Sequence, residues 1–431
     1  MPTERSPGPR ERALFAREVW PWALLGMTCG LVEGGTVAVL AKRGYTGLVA
    51  EHWVNFAVAA VSGAPALANL ASFAWANLAH GRARIGVLAA VQMAFALAVG
   101  LIGLAPARAH GLVLTIFAVL AARLLWAGIL TVRSAVWSAN YPRHLMAQMT
   151  GRIVVASSLG VAFVSMLAGW ILDRHAASAR WLYLFAALAG GTAALRYRSV
   201  RVRREYALLA AEGEAGPAAS TFSLGVLREI LHGDPDFRAY MFWLSLYGAG
   251  NLMMGAQLVV MFNDRLHLPG IVQIGVLTVL PLAITPLALP AWAALFDRGH
   301  VIAYRARQCW ALVGAVIVYS VAVLSRQAWL LWPASVLYGI SVAGANIGWN
   351  LGHNDFAPLG RVQHYMGVHV TLTGVRGLVA PPLGMACYQA LEWWHPGWGV
   401  GSMLLPVALV TAGALGFQGM AVPQRRRDDN R

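Results

Sequence analysis

Glu33, Arg123 and Arg376 stand inside long apolar stretches of the sequence. A charge there costs roughly 2.5–3.5 kcal/mol at the centre of a membrane helix unless it is paired or hydrated. Glu33 is the one carboxylate well inside such a stretch. Desolvation raises the pKa of a carboxylate and a nearby guanidinium lowers it. A group poised between those effects can take up and release a proton, so Glu33 with Arg123 or Arg376 is expected to form a proton-coupling set. An arginine not used by Glu33 is left to hold an anionic group bidentately.

A second group of residues is polar but uncharged. Asn346 and Asn350, followed by Asn354, recur every four residues and share one helical face. With Asn251, Gln257, Tyr247 and Trp126 they are the expected lining of a substrate cavity. His353, Asp355 and Arg361, together with Asp297, Arg298 and Arg82 in short polar turns, are the expected gate at the cytoplasmic side. No metal or other cofactor is expected, because His353, Asp355 and His364 lack a ligand spacing. The single cysteines Cys29, Cys309 and Cys387 form neither a metal nor a disulfide framework. There is no phosphate-binding Gly-Lys-Ser/Thr loop and no nucleophile–base arrangement, so the chain is not expected to be an enzyme.

These residues must be held by elements that water does not surround. Of 431 residues, 58% are hydrophobic and 12% charged, against about 25% charged in ordinary soluble domains. A membrane-spanning helix takes about 20 apolar residues, and open strands would leave unpaired backbone groups in hydrocarbon. Twelve apolar runs are expected as transmembrane helices, near 19–41, 52–76, 84–105, 111–132, 150–172, 180–196, 238–262, 270–296, 305–325, 328–352, 366–390 and 398–422. The first is longer than the apolar core of a signal peptide and is read as a retained span.

The net charge of +15 would suggest nucleic acid in a soluble protein, but here the arginines gather at the ends of apolar runs. With the N-terminus inside, 24 basic residues fall on the cytoplasmic side and 7, including Lys42, on the other. The chain is therefore expected to be a multi-pass protein of the cytoplasmic (inner) membrane with both termini cytoplasmic and no nucleic-acid partner. The expected domains are an N-terminal six-helix bundle (1–195), a basic cytoplasmic linker with a short amphipathic helix (196–236) and a C-terminal six-helix bundle (237–431).

The halves carry traces of duplication. Trp75-Ala76-Asn77-Leu78 matches Trp292-Ala293-Ala294-Leu295, Pro65 matches Pro281, and Arg143 matches Arg361, all at offsets near 217. Gly26, Gly30 and Gly34 recur every four residues, as do Gly344, Gly348 and Gly352, and both stripes are expected to let helices approach closely. Pro281, Pro286, Pro290, Pro381 and Pro382 are expected to kink their helices.

With this layout the sequence resembles the major facilitator superfamily of secondary transporters. The turn Leu78-Ala79-His80-Gly81-Arg82-Ala83-Arg84 resembles the family's loop between its second and third helices, although the usual Asp is missing. The second copy, Leu295-Phe296-Asp297-Arg298-Gly299-His300, keeps it. Arg123 followed by Gly128 is similar to an Arg-x-x-x-x-Gly element linked to proton-coupled members. The resemblance implies an all-α membrane fold of two pseudo-symmetric six-helix bundles that give alternating access to a central cavity. The expected function is proton-coupled movement of a small organic or amphipathic solute, leaning to efflux, by a monomer whose partners are that solute, the proton and membrane lipid. The alternative is a protein of the same fold acting as a receptor, a lipid-handling protein or an assembly partner without coupled transport.

Overall fold

The computed structural model describes residues 8–214, 224–358 and 361–428; among these the elements are helices, with no β-strand. In chain order the α-helices are α1 (Pro9–Gly30), α2 (Gly34–Tyr45), α3 (Glu51–Leu67), α4 (Ser72–Ala79), α5 (Arg84–Gly103), α6 (Ala109–Asn140), α7 (Arg143–Arg174), α8 (Ala179–Tyr197), α9 (Glu205–Glu214), α10 (Leu224–Gly233), α11 (Pro235–Asp264), α12 (Gly270–Ile274), α13 (Leu280–Phe296), α14 (Val301–Ser325), α15 (Leu331–Leu351), α16 (Val362–Trp394) and α17 (Leu404–Asp428). The expected amphipathic helix of the linker corresponds to α10, and α9 is an addition. Residues 215–223, including the Phe222 end of that expected helix, lie outside the described residues.

Ten described helical stretches are long and apolar enough to cross a membrane, and the broken pair α1–α2 makes eleven when counted as one span. The sixth expected span is α8, 19 residues long. It is less apolar than the others because Arg180 and Arg196 stand near its ends and Gly190, Gly191 and Thr192 interrupt its apolar run. The all-helical membrane architecture is thus as expected, with ten to eleven of the twelve expected spans long and apolar enough to cross a membrane among the described residues.

Two expected continuous helices are interrupted. The first span breaks at residues 31–33, where Gly30, Gly34 and Gly35, poor helix formers, bracket the gap. The last turn of α1 closes with Val32 N–H donating to the Cys29 carbonyl at 3.0 Å and Glu33 N–H to the Gly30 carbonyl at 3.4 Å. The eighth span carries a π-helical turn at Gly275–Val279, just ahead of Pro281, which has no N–H for the regular ladder. The Val276 carbonyl there accepts the hydroxyls of Tyr319 (3.2 Å) and Ser335 (2.6 Å).

By their contacts the described helices form two compact units. One holds α1 and α4–α9; the other holds α2, α3 and α10–α17, with chain boundaries at Glu33/Gly34 and Leu70/Ala71. This grouping differs from the two sequence halves, because α3 runs tightly along α16. A Cβ on Gly63 would lie 2.3 Å from the Gly377 carbonyl oxygen, and one on Gly377 2.6 Å from the Ala66 Cβ. In the first unit α1 lies against α7 just as closely: a Cβ on Gly26 would stand 2.1 Å from the Ser157 carbonyl and one on Gly160 2.5 Å from that of Ala23.

Each unit contains the same tryptophan clamp. In the first, Trp75 Nε1 donates to the Leu124 carbonyl at 2.9 Å, and Gly128 makes room for the indole. In the second, Trp292 Nε1 donates to the Ile340 carbonyl at 2.9 Å, and Gly344 makes the room. The sequence repeat that contains the two tryptophans therefore has a physical content: one indole–carbonyl bond and one missing Cβ, occurring twice.

Candidate functional site

In the first unit, Glu33 sits at the break after α1 and reaches Arg123 on α6. Arg123 Nη1 donates to Glu33 Oε2 at 3.0 Å and lies 3.7 Å from the Cys29 sulfur, whose thiol points to the same carboxylate oxygen at 3.9 Å. The Arg123 side chain is 9% exposed and that of Glu33 38%. The arginine is therefore enclosed while the carboxylate keeps an opening. Arg123 Nε is buried without a partner among the described residues, so the ion pair is its principal anchor. Of the two arginines expected as partners of Glu33, Arg123 takes that place. Trp126, one turn further along α6, packs against Trp22 and Phe95 as part of an aromatic layer.

That layer encloses a second carboxylate, one that lies just outside the expected spans and that the sequence reading did not single out. Glu18 on α1 is 0% exposed. Its Oε2 accepts Trp137 Nε1 at 2.7 Å, and its Oε1 is buried without a partner among the described residues. The Arg133 guanidinium stacks over the Trp137 and Trp22 rings at 4.2 and 4.7 Å instead of pairing with it. Glu18 lies one residue ahead of the first apolar run. Its i, i+4 relation to Trp22, on the buried face, was the available signal.

The second unit gathers cations. Arg376 on α16 donates from Nε to the Leu372 carbonyl at 3.2 Å, from Nη1 to the Leu244 carbonyl and from Nη2 to Thr373 Oγ1. All three acceptors are neutral. Gly248 on α11 leaves the space: a Cβ there would fall 2.3 Å from Arg376 Nη1. Arg305 on α14, the first residue of the expected ninth span, is 1% exposed and donates from Nη1 to Gln308 Oε1 at 2.8 Å. Gly348 on α15 is what admits it, since a Cβ there would lie 2.7 Å from the guanidinium carbon. Here the glycine stripe of α15 receives a side chain, where close backbone approach was expected. On α16, two turns before Arg376, His369 is 0% exposed, with both ring nitrogens unpartnered among the described residues. It stands edge-on to Trp349 (5.4 Å) and to the buried His353 (6.5 Å).

The remaining expected lining residues divide. Gln257 is buried and ties helices together, donating from Nε2 to the Gly384 carbonyl (3.0 Å) and to Ser402 Oγ (2.9 Å). Tyr247 is likewise buried, within hydrogen-bonding distance of Ser341 and Gln308. Both are thereby engaged in helix packing. Asn346 and Asn350 are exposed, the second donating to the carbonyl of the first at 2.7 Å. Asn251 carries a buried, unpartnered Oδ1.

Of the expected gate residues, Asp355 accepts Val301 N–H at 2.6 Å and so caps α14. Arg361 pairs with Glu229 of α10 at 2.7 Å. Asp297, Arg298 and Arg82 are exposed in their turns. Beside Arg82, the turn that lacks the acidic residue receives carboxylates from α9: Glu212 accepts Gly81 N–H at 2.9 Å and pairs with Arg84, and Glu205 accepts Arg84 N–H at 3.0 Å.

Lys42 was missed as a structural charge. Expected in an outer loop, it lies in α2 at 0% exposure, its Nζ donating to Asp264 Oδ2 (2.6 Å), Asn55 Oδ1 (2.7 Å) and Glu51 Oε1 (3.4 Å). As the one lysine among arginines it carried a compositional signal. A compact ammonium suits three acceptors around a point better than a planar fork does.

The sequence profile described as Major Facilitator Superfamily matches residues 23–381, and comparison with curated proteins finds no match. Among solved structures, the chain is similar to the POT family transporter PepTSo at 10% identity and a TM-score of 0.71, covering 98% of this chain and 99% of that one. It is similar to a bacterial homologue of the human lysosomal transporter Spinster at 10% identity and a TM-score of 0.69, covering 96% and 98%. It is similar to the nucleoside transporter NupG at 12% identity and a TM-score of 0.64, covering 96% and 99%. At such identities the likeness speaks for the fold and leaves the cargo open.

Proposed function

Because the chain belongs to the major facilitator superfamily, we propose that it is a secondary active transporter that moves a small organic or amphipathic solute across the cytoplasmic membrane by alternating access, coupled to protons and directed toward efflux. In this reading both termini are cytoplasmic, in line with the arginine distribution, and the protein works as a monomer. The observation that carries the coupling step is the Glu33–Arg123 pair at 3.0 Å, placed at the break in the first span.

The half-open Glu33 carboxylate is reachable by a proton while the enclosed Arg123 is not. Protonation removes the charge that holds Arg123 and leaves it near the Cys29 sulfur with Nε already unpartnered. A desolvated guanidinium without a counter-charge is costly, so the two protonation states favour different arrangements around the break. That difference is what a coupled cycle requires: a ligand or proton shifts an equilibrium only by its differential affinity for the two states. Asn346, Asn350 and Asn251 are the polar contacts offered to the solute. The Asp355 cap and the Arg361–Glu229 pair hold the arginine-rich ends.

The test is transport in proteoliposomes, using a solute found by its ability to raise the melting temperature of the purified protein. Glu33→Gln keeps an oxygen for Arg123 and loses the titration, so pH-gradient-driven flux is expected to vanish while solute binding and folding persist. Full gradient-driven flux in that variant removes Glu33 from the mechanism.

A further inference from the structure

We propose that the second unit contains a binding site for an anionic oxygen group, a carboxylate or phosphate carried by the solute, built from Arg376, Arg305 and His369; the proposal rests on the transporter reading and specifies the chemical class of its cargo. Its basis is a charge imbalance. Neither Arg305 nor Arg376 forms an ion pair among the described residues, and every hydrogen-bond acceptor given to either is a carbonyl, an amide or a hydroxyl. Arg305 packs on Gly348, and His369 packs on Trp349, the next residue of α15, while His369 and Arg376 share one face of α16. Two like charges are thus held together inside a membrane-spanning helix bundle. Such groups are stable when paired with an anion or hydrated.

The donors are arranged for that anion. His369, Thr373 and Arg376 follow one another at i, i+4 and i+7 and line one face of α16. The face of α11 that meets them presents Leu244, whose carbonyl holds Arg376, then Gly248, which gives its guanidinium room. One turn beyond comes Asn251, whose amide nitrogen is the group that can donate to an anion. Arg376 is the half-exposed member. After its three bonds, two of its five N–H groups remain for a ligand. Arg305 is more fully buried, with Nε unpartnered among the described residues. His369 has no acceptor for its ring N–H among the described residues, which an incoming oxygen supplies. Trp349, against His369, offers an apolar wall to the rest of an amphipathic anion.

The experiment measures thermal stabilisation and direct binding on the purified full-length protein at constant chloride. The probes are benzoate and phenyl phosphate, with benzamide and benzyl alcohol as their uncharged counterparts. We expect the anions to raise the melting temperature saturably and the neutral probes to leave it unchanged. Arg376→Gln should weaken anion binding by about tenfold to a hundredfold, the loss of a charge-assisted bond. Arg376→Lys should fall between, and Arg307→Gln, an exposed arginine on the same helix as Arg305, should behave as the unaltered protein.

Because Arg376→Gln could fold poorly, Arg376→Lys supplies the second comparison: unaltered anion affinity in a folded Lys variant argues against bidentate recognition and overturns the site. Equal stabilisation by neutral probes, or an unaltered response in Arg376→Gln, also overturns it. So does a stabilisation produced by phosphatidylglycerol alone, which would make the anion a lipid headgroup. The Glu33→Gln flux experiment reads the transporter proposal independently, so either can fail while the other stands.

Discussion

Arg123 and Arg376 are both guanidiniums in membrane-spanning helices, and their surroundings are opposite. Arg123 is enclosed and meets a carboxylate. Arg376 is half-buried and meets only neutral acceptors. A paired charge can serve as an internal switch, whereas an unpaired one is a vacancy for something that arrives. The tryptophan clamps show that the frame around the α6 site was duplicated: Leu124 and Gly128 on α6 correspond to Ile340 and Gly344 on α15, an offset of 216. By that register Arg123 corresponds to Gly339, so the charge belongs to one copy only.

The largest expected effect follows from the difference between a switch and a vacancy. Glu33→Gln should abolish pH-gradient-driven flux and melt between the unaltered protein and Glu33→Ala, because the amide oxygen still accepts from Arg123 while its counter-charge is lost. Glu33→Ala should abolish flux as well and destabilise by about 1–3 kcal/mol, since Arg123 then loses its anchor. Retained flux in Glu33→Gln, or equal melting of the two variants, would erase the distinction. Arg376→Met sharpens it from the other side. It removes a charge without orphaning a carboxylate, so in the absence of anions the protein should melt at or above the unaltered temperature. Arg123→Met, which strips Glu33 of its partner, should melt below it.

Next come the glycines that admit these groups. Gly348→Ala would place a methyl 2.7 Å from the Arg305 guanidinium carbon. The expected cost is about 1–3 kcal/mol of overpacking, with weaker anion binding because Arg305 must move. Gly128→Ala collides with the Trp75 indole at 2.6 Å and should cost a similar amount of stability. The Glu33–Arg123 geometry on the neighbouring turn should make it lose flux rather than anion affinity. If both variants lost the same function, the two sites would not be chemically distinct.

The sequence made the fold legible and the site only in part. Apolar runs and arginine-capped ends are long-range averages, so the helices were readable while the breaks at residues 31–33 and 275–279 were not. Those depend on a few local bonds, such as the Tyr319 and Ser335 hydroxyls meeting one carbonyl. Glu33 and Arg123 were found because a charge inside an apolar run is conspicuous. Glu18, Lys42 and Arg305 were missed because each lies within a few residues of a polar turn, where hydropathy cannot distinguish a solvated charge from one folded inward. Gly348 was visible as part of a stripe, but only the structure shows that its missing side chain receives an arginine from α14. Gln257 and Tyr247 show the converse: polar residues in spans that turn out to be engaged in helix packing.

A smaller effect tests the duplicated frame itself. Trp75→Phe and Trp292→Phe each remove one indole–carbonyl bond of 2.9 Å and leave an aromatic ring in place. Each should cost about 1 kcal/mol, read as equal shifts in thermal or denaturant unfolding. A difference of more than about 1 kcal/mol would show that the clamps are alike in geometry but not in load.

The smallest effect concerns the two turns that the sequence repeat also relates. The second copy keeps its own acid, Asp297, and α14 is capped by Asp355, whereas the first copy borrows Glu205 and Glu212 from α9. Glu212→Gln removes a partly exposed pair with Arg84, worth only about 0–1 kcal/mol to global stability. Its local consequence should be larger, because α9 is a ten-residue helix and isolated helices shorter than about 12–15 residues are marginal in water. Amide hydrogen exchange should therefore speed up across α9 and the turn of residues 80–83 in this variant, with α5 unchanged. Asp355→Asn, which keeps an oxygen for Val301 N–H, should leave exchange at the start of α14 nearly as it was. Unchanged exchange in α9 of the Glu212 variant would mean that the first turn holds its linker without the borrowed carboxylate.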